Sequence, residues 1–216
     1  MDTFKTGELS VEAKTTIQME GAKTPHLYTV SSGMGVRYKT LENGRRQVIN
    51  FIMPGDFVGL QAGVMGEAGH SIESTTPMVL CTFQRQDLWR LFQSYPSRAY
   101  DLVWLAASEE AFLGQSLATV GQRSGIERVS WALLKLYGRL DQLGLTKGNS
   151  VSLPYRQQDL ADALGLSLVH TNKTLSELRS RKMADWSNGA LTILDREALQ
   201  STAMMEAEER GPRPLM

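Results

Sequence analysis

The chain has 216 residues, 42% of them hydrophobic and 21% charged, which is the balance of a chain that buries a core rather than of a disordered one. Net charge is zero, no run approaches the roughly 18 apolar residues of a membrane span, and MDTFKTGELS lacks the basic start and apolar middle of a secretory leader. The cytoplasm is therefore the expected compartment, with no membrane partner, and the single cysteine, Cys81, cannot supply the about four thiolates that hold an iron-sulfur cluster.

From Leu27 to Phe83, short runs rich in Val, Ile, Tyr and Phe alternate with glycine punctuation, the pattern of an all-β segment folded as a small barrel or jelly roll. Glu42-Asn43-Gly44 between VRYKTL and RRQVINF predicts a hairpin, because Asn-Gly tolerates the positive φ of tight turns. After Pro96 the texture becomes helical, with Leu102, Leu105, Phe112, Leu113, Leu117 and Val120 at spacings of three and four. Trp104, Ala107 and Ala111 lie off that stripe, so one long helix is expected to bury two faces, one on its own barrel and one on a second copy of the chain. Gly121 to Gly125 should interrupt it as a hinge, before a second helix through Ile126, Val129, Leu133, Leu136, Tyr137 and Leu140. Two short helices follow, then WSNGALTILD as two strands about an Asn-Gly turn, and EERGPRPLM as a frayed tail.

The two short helices carry the sharpest signal. In QDLADALGLS, Ala161 is small where two helices would cross, Gly165 stands four residues on where a turn needs positive φ, and Ser167 is placed to cap the next helix. Leu160, Leu164, Leu168, Thr171, Leu175 and Leu178 are expected to face inward. Val169, His170, Asn172, Lys173 and Ser176 then face outward, where a recognition helix meets the major groove. Asn can bond bidentately to adenine and Lys to guanine, whereas Arg156, Ser167 and His170 near helix starts suit phosphates. The charge distribution agrees: residues 122 to 185 hold 10 Lys and Arg against 6 Asp and Glu, whereas residues 1 to 121 hold 10 against 12. The bland alternative is a helical hairpin with a solvated polar face.

The whole chain resembles the Crp/Fnr superfamily of bacterial transcription regulators. Four segments in the family's order carry the likeness: GRRQVINFIMPGDFVGL, VGQRSGIERVSWALLKLYGRL, RQQDLADALGLSLVHTNKTLSELRSRK and NGALTILDREAL. The resemblance implies an α+β fold, with an N-terminal cyclic-nucleotide-binding-like β-roll (a double-stranded β-helix) over residues 1–95. A long dimerisation helix over 96–121, a C-terminal winged helix-turn-helix over 122–205 and a flexible tail over 206–216 complete it. It further implies a homodimer on an inverted-repeat operator of double-stranded DNA, controlled through the roll by an effector, and it admits RNA polymerase as a partner. The candidate DNA contacts are Arg156, Gln158, Ser167, Val169, His170, Asn172 and Lys173. Where many members carry a recognition Glu and Arg, this chain has Val169 and Lys173, so a different half-site is expected.

The effector pocket implied by the resemblance comprises Gly55, Asp56, Gly59, His70 and Ser71. His70 stands where members that bind a cyclic nucleotide place an arginine, and a mostly neutral imidazole replaces a fixed cation poorly on a phosphate. Cyclic AMP is accordingly not expected, nor is a haem held by Cys81 and His70, and no cofactor or metal is predicted. The three histidines, His26, His70 and His170, lack the close spacing of a β-strand metal site, and neither a P-loop nor a nucleophile elbow is present, so an enzyme is not expected. The alternative from another class is a sensor or interaction protein whose winged module binds protein rather than DNA.

Overall fold

The computed structural model describes residues 4–205; the expected tail at 206–216 lies outside them. They fall into two compact units, residues 4–112 and 113–205.

The first unit is a β-roll. Its strands are β1 (Lys5–Val11), β2 (Thr16–Gln18), β3 (His26–Ser32), β4 (Gly35–Thr40), β5 (Arg46–Ile52) and β6 (Phe57–Val58), then β7 (Ser71–Ser74) and β8 (Met78–Gln84), with the short helix α1 (Leu60–Met65) between β6 and β7. They form two four-stranded sheets, β1-β8-β3-β6 and β2-β7-β4-β5, in which all pairs are antiparallel. Period-two alternation sends Tyr28, Val30, Ile52, Val58, Ile72, Met78 and Leu80 inward, where Val11 and Ile17 pack against them. Burying each large aliphatic side chain there contributes about 2 kcal/mol against the entropy of ordering it.

The β4-β5 hairpin closes at the expected triplet, although by a different device. Gly44 alone has positive φ, at 77°, and its N–H donates to the Leu41 carbonyl while the Asn43 side chain accepts from the Arg45 N–H. That is a three-residue loop ending in a glycine bulge, not a two-residue Asn-Gly turn.

After a single 3-10 turn (Arg85–Asp87) come α2 (Leu88–Ser94), which the sequence pattern did not reveal, and the long α3 (Pro96–Gln122). Leu102 and Leu105 are buried on the roll side, whereas Tyr100, Val103, Leu113 and Leu117 are exposed. Leu113 and Leu117 continue the stripe of Leu102 and Leu105 but stand exposed, and Tyr100 and Val103 lie on another side of the helix, so α3 keeps exposed apolar residues along much of its length. The helix continues through Gly121, and the break falls at Arg123-Ser124. A glycine within a helix is tolerated at a cost of about 1 kcal/mol, and the Glu127 carboxylate accepting the Ser124 N–H at 2.7 Å starts the next helix there instead.

The second unit holds α4 (Gly125–Gln142), β9 (Thr146–Lys147), β10 (Ser150–Ser152), α5 (Gln157–Leu164), α6 (Leu168–Ser180), β11 (Ala184–Ser187), β12 (Ala190–Ile193) and α7 (Arg196–Thr202). The four strands make one antiparallel sheet, β11-β12-β10-β9. Here Asn188 and Gly189 both take positive φ, at 52° and 72°, and Ser187 pairs with Ala190 across the turn, as a two-residue hairpin of twisted strands requires. Val129, Leu133, Leu136 and Leu140 of α4 are buried with Leu160, Leu164 and Leu178. No helix of the described residues is long and apolar enough to cross a membrane.

Candidate nucleic-acid interface and sensor site

The α5-turn-α6 motif is set by three backbone events. Asp159, fully buried, accepts the Arg156 N–H at 3.0 Å and so closes the start of α5. Gly165 ends α5 in the left-handed region at φ 66°, and the Leu166 N–H donates to the Ala161 carbonyl. Ser167 then caps α6, its Oγ accepting the His170 N–H at 3.2 Å. Arg128 of α4 fastens the motif from behind by donating to the Arg123 carbonyl at 2.7 Å and to the Leu164 carbonyl at 3.1 Å. One guanidinium thus satisfies both the inter-helix link and the open end of α5.

The buried face of α6 comprises Thr171, Thr174, Leu175 and Leu178. Leu168, expected inward, is 39% exposed instead, and the buried face of α6 begins at Thr171. The outward face holds Val169, 79% exposed, with Asn172, Lys173 and Ser176. Lys173 has no ion-pair partner among the described residues. By contrast, Arg179 is held by Asp185 at 2.6 Å and Arg181 by Glu177 at 2.5 Å.

The structure places the expected phosphate contacts unequally. Gln158 and Ser167 are exposed, although the Gln158 amide donates to Asp162 at 2.6 Å. Arg156 projects from the start of α5 with its guanidinium gripped by Asp159, at 3.0 Å from Nε and 2.7 Å from Nη2. His170 lies against Gly125: a Cβ at that glycine would sit 2.3 Å from the imidazole Nε2. Helix α6 therefore touches the first residue of α4. Neither Asp159 nor Arg128 stood out in the sequence, although an acidic residue three positions after the Arg156 helix start is a capping signal.

The roll presents a second site. Gly55 turns at φ 83° and Gly59 at φ 91°, which positions α1 next to the buried Gln18. Asp56 is also buried, and its carboxylate accepts the Met53 N–H at 2.9 Å, an acidic group used to build its own turn. Ser71 Oγ accepts the Glu20 N–H at 3.0 Å. His70 is only 8% exposed; burial first, then the charges of Arg37 and Lys39, lowers its pKa to about 4, so the imidazole is neutral at physiological pH. Its Nε2, Gln18 Oε1 and Arg37 Nε are buried without hydrogen-bond partners. No group of three or more metal-ligating side chains occurs among the described residues.

Residues 8–95 match the model of the cyclic nucleotide-binding domain and residues 127–202 that of the Crp-like helix-turn-helix domain. The chain is 31% identical over 178 residues to the transcriptional activatory protein AadR of Rhodopseudomonas palustris, covering 82% of this chain and 73% of that protein. It is 30% identical over 190 residues to the nitrogen fixation regulation protein FixK of Bradyrhizobium diazoefficiens, covering 87% and 78%. The chain belongs to the Crp/Fnr family. Among solved structures, FixK2 from Bradyrhizobium japonicum superposes with a TM-score of 0.83 at 25% identity, over 94% of this chain and 98% of that one. The protein is thus a DNA-binding transcription regulator, in a family of regulators rather than enzymes.

Proposed function

We propose that this Crp/Fnr regulator acts in the cytoplasm as a homodimer on an inverted-repeat operator, reading base edges with Val169, Asn172 and Lys173. The observation that carries the assignment is the outward face of α6, where these three side chains stand exposed and Lys173 has no ion-pair partner among the described residues. Asn172 has the donor and acceptor to read adenine, Lys173 the donors to read guanine O6 and N7, and Val169 the apolar surface to meet a thymine methyl. Arg156, Gln158 and Ser167 serve the backbone phosphates. His170, seated on Gly125, sets the depth at which α6 enters the groove.

The exposed apolar residues of α3, Tyr100, Val103, Leu113 and Leu117, are the natural seam for a second copy, since large apolar side chains strung along a long helix are costly to leave in water. A two-fold dimer places its recognition helices about 34 Å apart, one turn of DNA. Relatives named as transcriptional activators, AadR and FnrL, support RNA polymerase as a further partner. Selection from random duplexes tests the proposal: a palindromic site with half-sites about 10 base pairs apart centre to centre is expected. Failure to enrich any palindrome would overturn it.

A further inference from the structure

We propose that the sensor roll of this protein is liganded by its own chain: the Glu109 carboxylate of α3 occupies an internal anion site formed by Arg37 and Asn50. Strand pairing creates that site. Arg37 lies opposite Asn50 on β5 and opposite Ile72 on β7, so the three side chains share one face of the sheet. Ile72 is fully buried in the core of the roll, so that face is the interior, and a lone guanidinium there would carry a large desolvation cost.

Glu109 meets it. Arg37 Nη1 donates to Glu109 Oε2 at 2.9 Å, and Asn50 Nδ2 lies 3.1 Å from both carboxylate oxygens. Asn50 is itself fixed, its Oδ1 accepting the Phe51 N–H at 2.8 Å. The side chains of Arg37 and Glu109 are 15% and 30% exposed, so water screens the pair only partly.

The seat is not a closed structural network. Arg37 Nε, His70 Nε2 and Gln18 Oε1 are buried without hydrogen-bond partners, and the charge of Arg37 reaches His70. Buried polar atoms ordinarily find partners, so this interior offers more hydrogen-bonding capacity than Glu109 uses. It fits a small anion with further acceptors and donors, and Glu109 holds its place in the resting protein. An external anion enters only by displacing Glu109, which releases α3 at the helix that carries the apolar seam. Loss of the latch is thereby coupled to the dimer helix, and to this extent the inference rests on the proposed homodimer.

The test needs no DNA, so its failure is distinct from failure of the operator reading. Inorganic phosphate and cyclic AMP are titrated calorimetrically into the full-length wild type, Glu109→Gln and Glu109→Gln/Arg37→Gln. Removing a competing charge-assisted pair should raise affinity for at least one of these anions roughly tenfold or more in Glu109→Gln. The gain should vanish in the double variant, and amide exchange along residues 102–112 should speed up in Glu109→Gln without ligand. Equal affinity in wild type and Glu109→Gln, or unchanged exchange on α3, overturns the proposal. If Glu109→Gln does not fold, the exchanged pair Arg37→Glu/Glu109→Arg decides: recovery of the fold supports the ion pair, and failure to recover overturns it.

Discussion

Acid should destabilise the roll through His70, and the size of the effect follows from its burial. The imidazole titrates near 6.5 in the unfolded chain and at about 4 in the native roll. Above pH 6.5 both states are neutral and the group has no pH effect. As pH falls through 6.5 toward 4, the unfolded chain takes up a proton that the native state refuses, so stability is lost on the acid side only, at up to about 1.4 kcal/mol per pH unit. At pH 5 the loss amounts to about 2 kcal/mol relative to neutral pH. That is a sizeable share of the 5–15 kcal/mol typical of a folded protein. The assay is urea unfolding of wild type and His70→Asn at pH 7.5 and pH 5, because the difference between the two proteins subtracts other groups that titrate over the interval. With a urea slope of about 1–3 kcal/mol per molar, the wild-type midpoint should fall by about 1 M more than that of the variant. The ring proton of His70, followed by NMR, should titrate far below 6.5 and move upward in Arg37→Gln, which removes one of the two repelling charges. Equal pH dependence in the two proteins, or a His70 titration near 6.5, would refute the reasoning.

Four further outcomes are expected. Gly125→Ala places a methyl 2.3 Å from His170 Nε2 and should displace the imidazole while the fold survives, since the ring is exposed; crystallography shows the rotation and fluorescence anisotropy the weakened DNA binding. Asn172→Ala should relax preference at one base pair of each half-site by about 1–3 kcal/mol, measured against single-base operator variants. Asp159→Asn should lower stability by about 1 kcal/mol through loss of the helix cap and free Arg156 for phosphate, so the salt dependence of DNA binding is expected to steepen. Leu117→Glu, at a position 75% exposed in the single chain, should leave the monomer folded and shift sedimentation from dimer to monomer.

Features held within a few residues are legible in the amino-acid order alone. The winged module is the clearest case. Ala161, Gly165 and Ser167 act through local sterics and one capping bond, and Asn188-Gly189 through its own φ values, so their spacing is enough to place them. Helix α2 and the strands before Leu27 leave weaker traces. Each is at most seven residues long, too short for periodicity to separate from a loop. The α3-α4 break falls inside the expected segment from Gly121 to Gly125, at Arg123-Ser124, where the capping carboxylate of Glu127 starts the next helix.

The sequence by itself determined the family, the order of the main elements apart from β1, β2 and α2, and the identity of the groups on the outward face of α6, because each depends on short-range pattern. Only the tertiary structure decided what those groups and the pocket residues do. Strand register and helix docking bring Arg37, Asn50 and Glu109 together. Asp56 turns its carboxylate onto its own backbone, and His70 loses its water. Leu168 is left outside and His170 is set against Gly125. Pairing and burial join residues tens of positions apart, and no local propensity encodes which partner a charge will find once it leaves water.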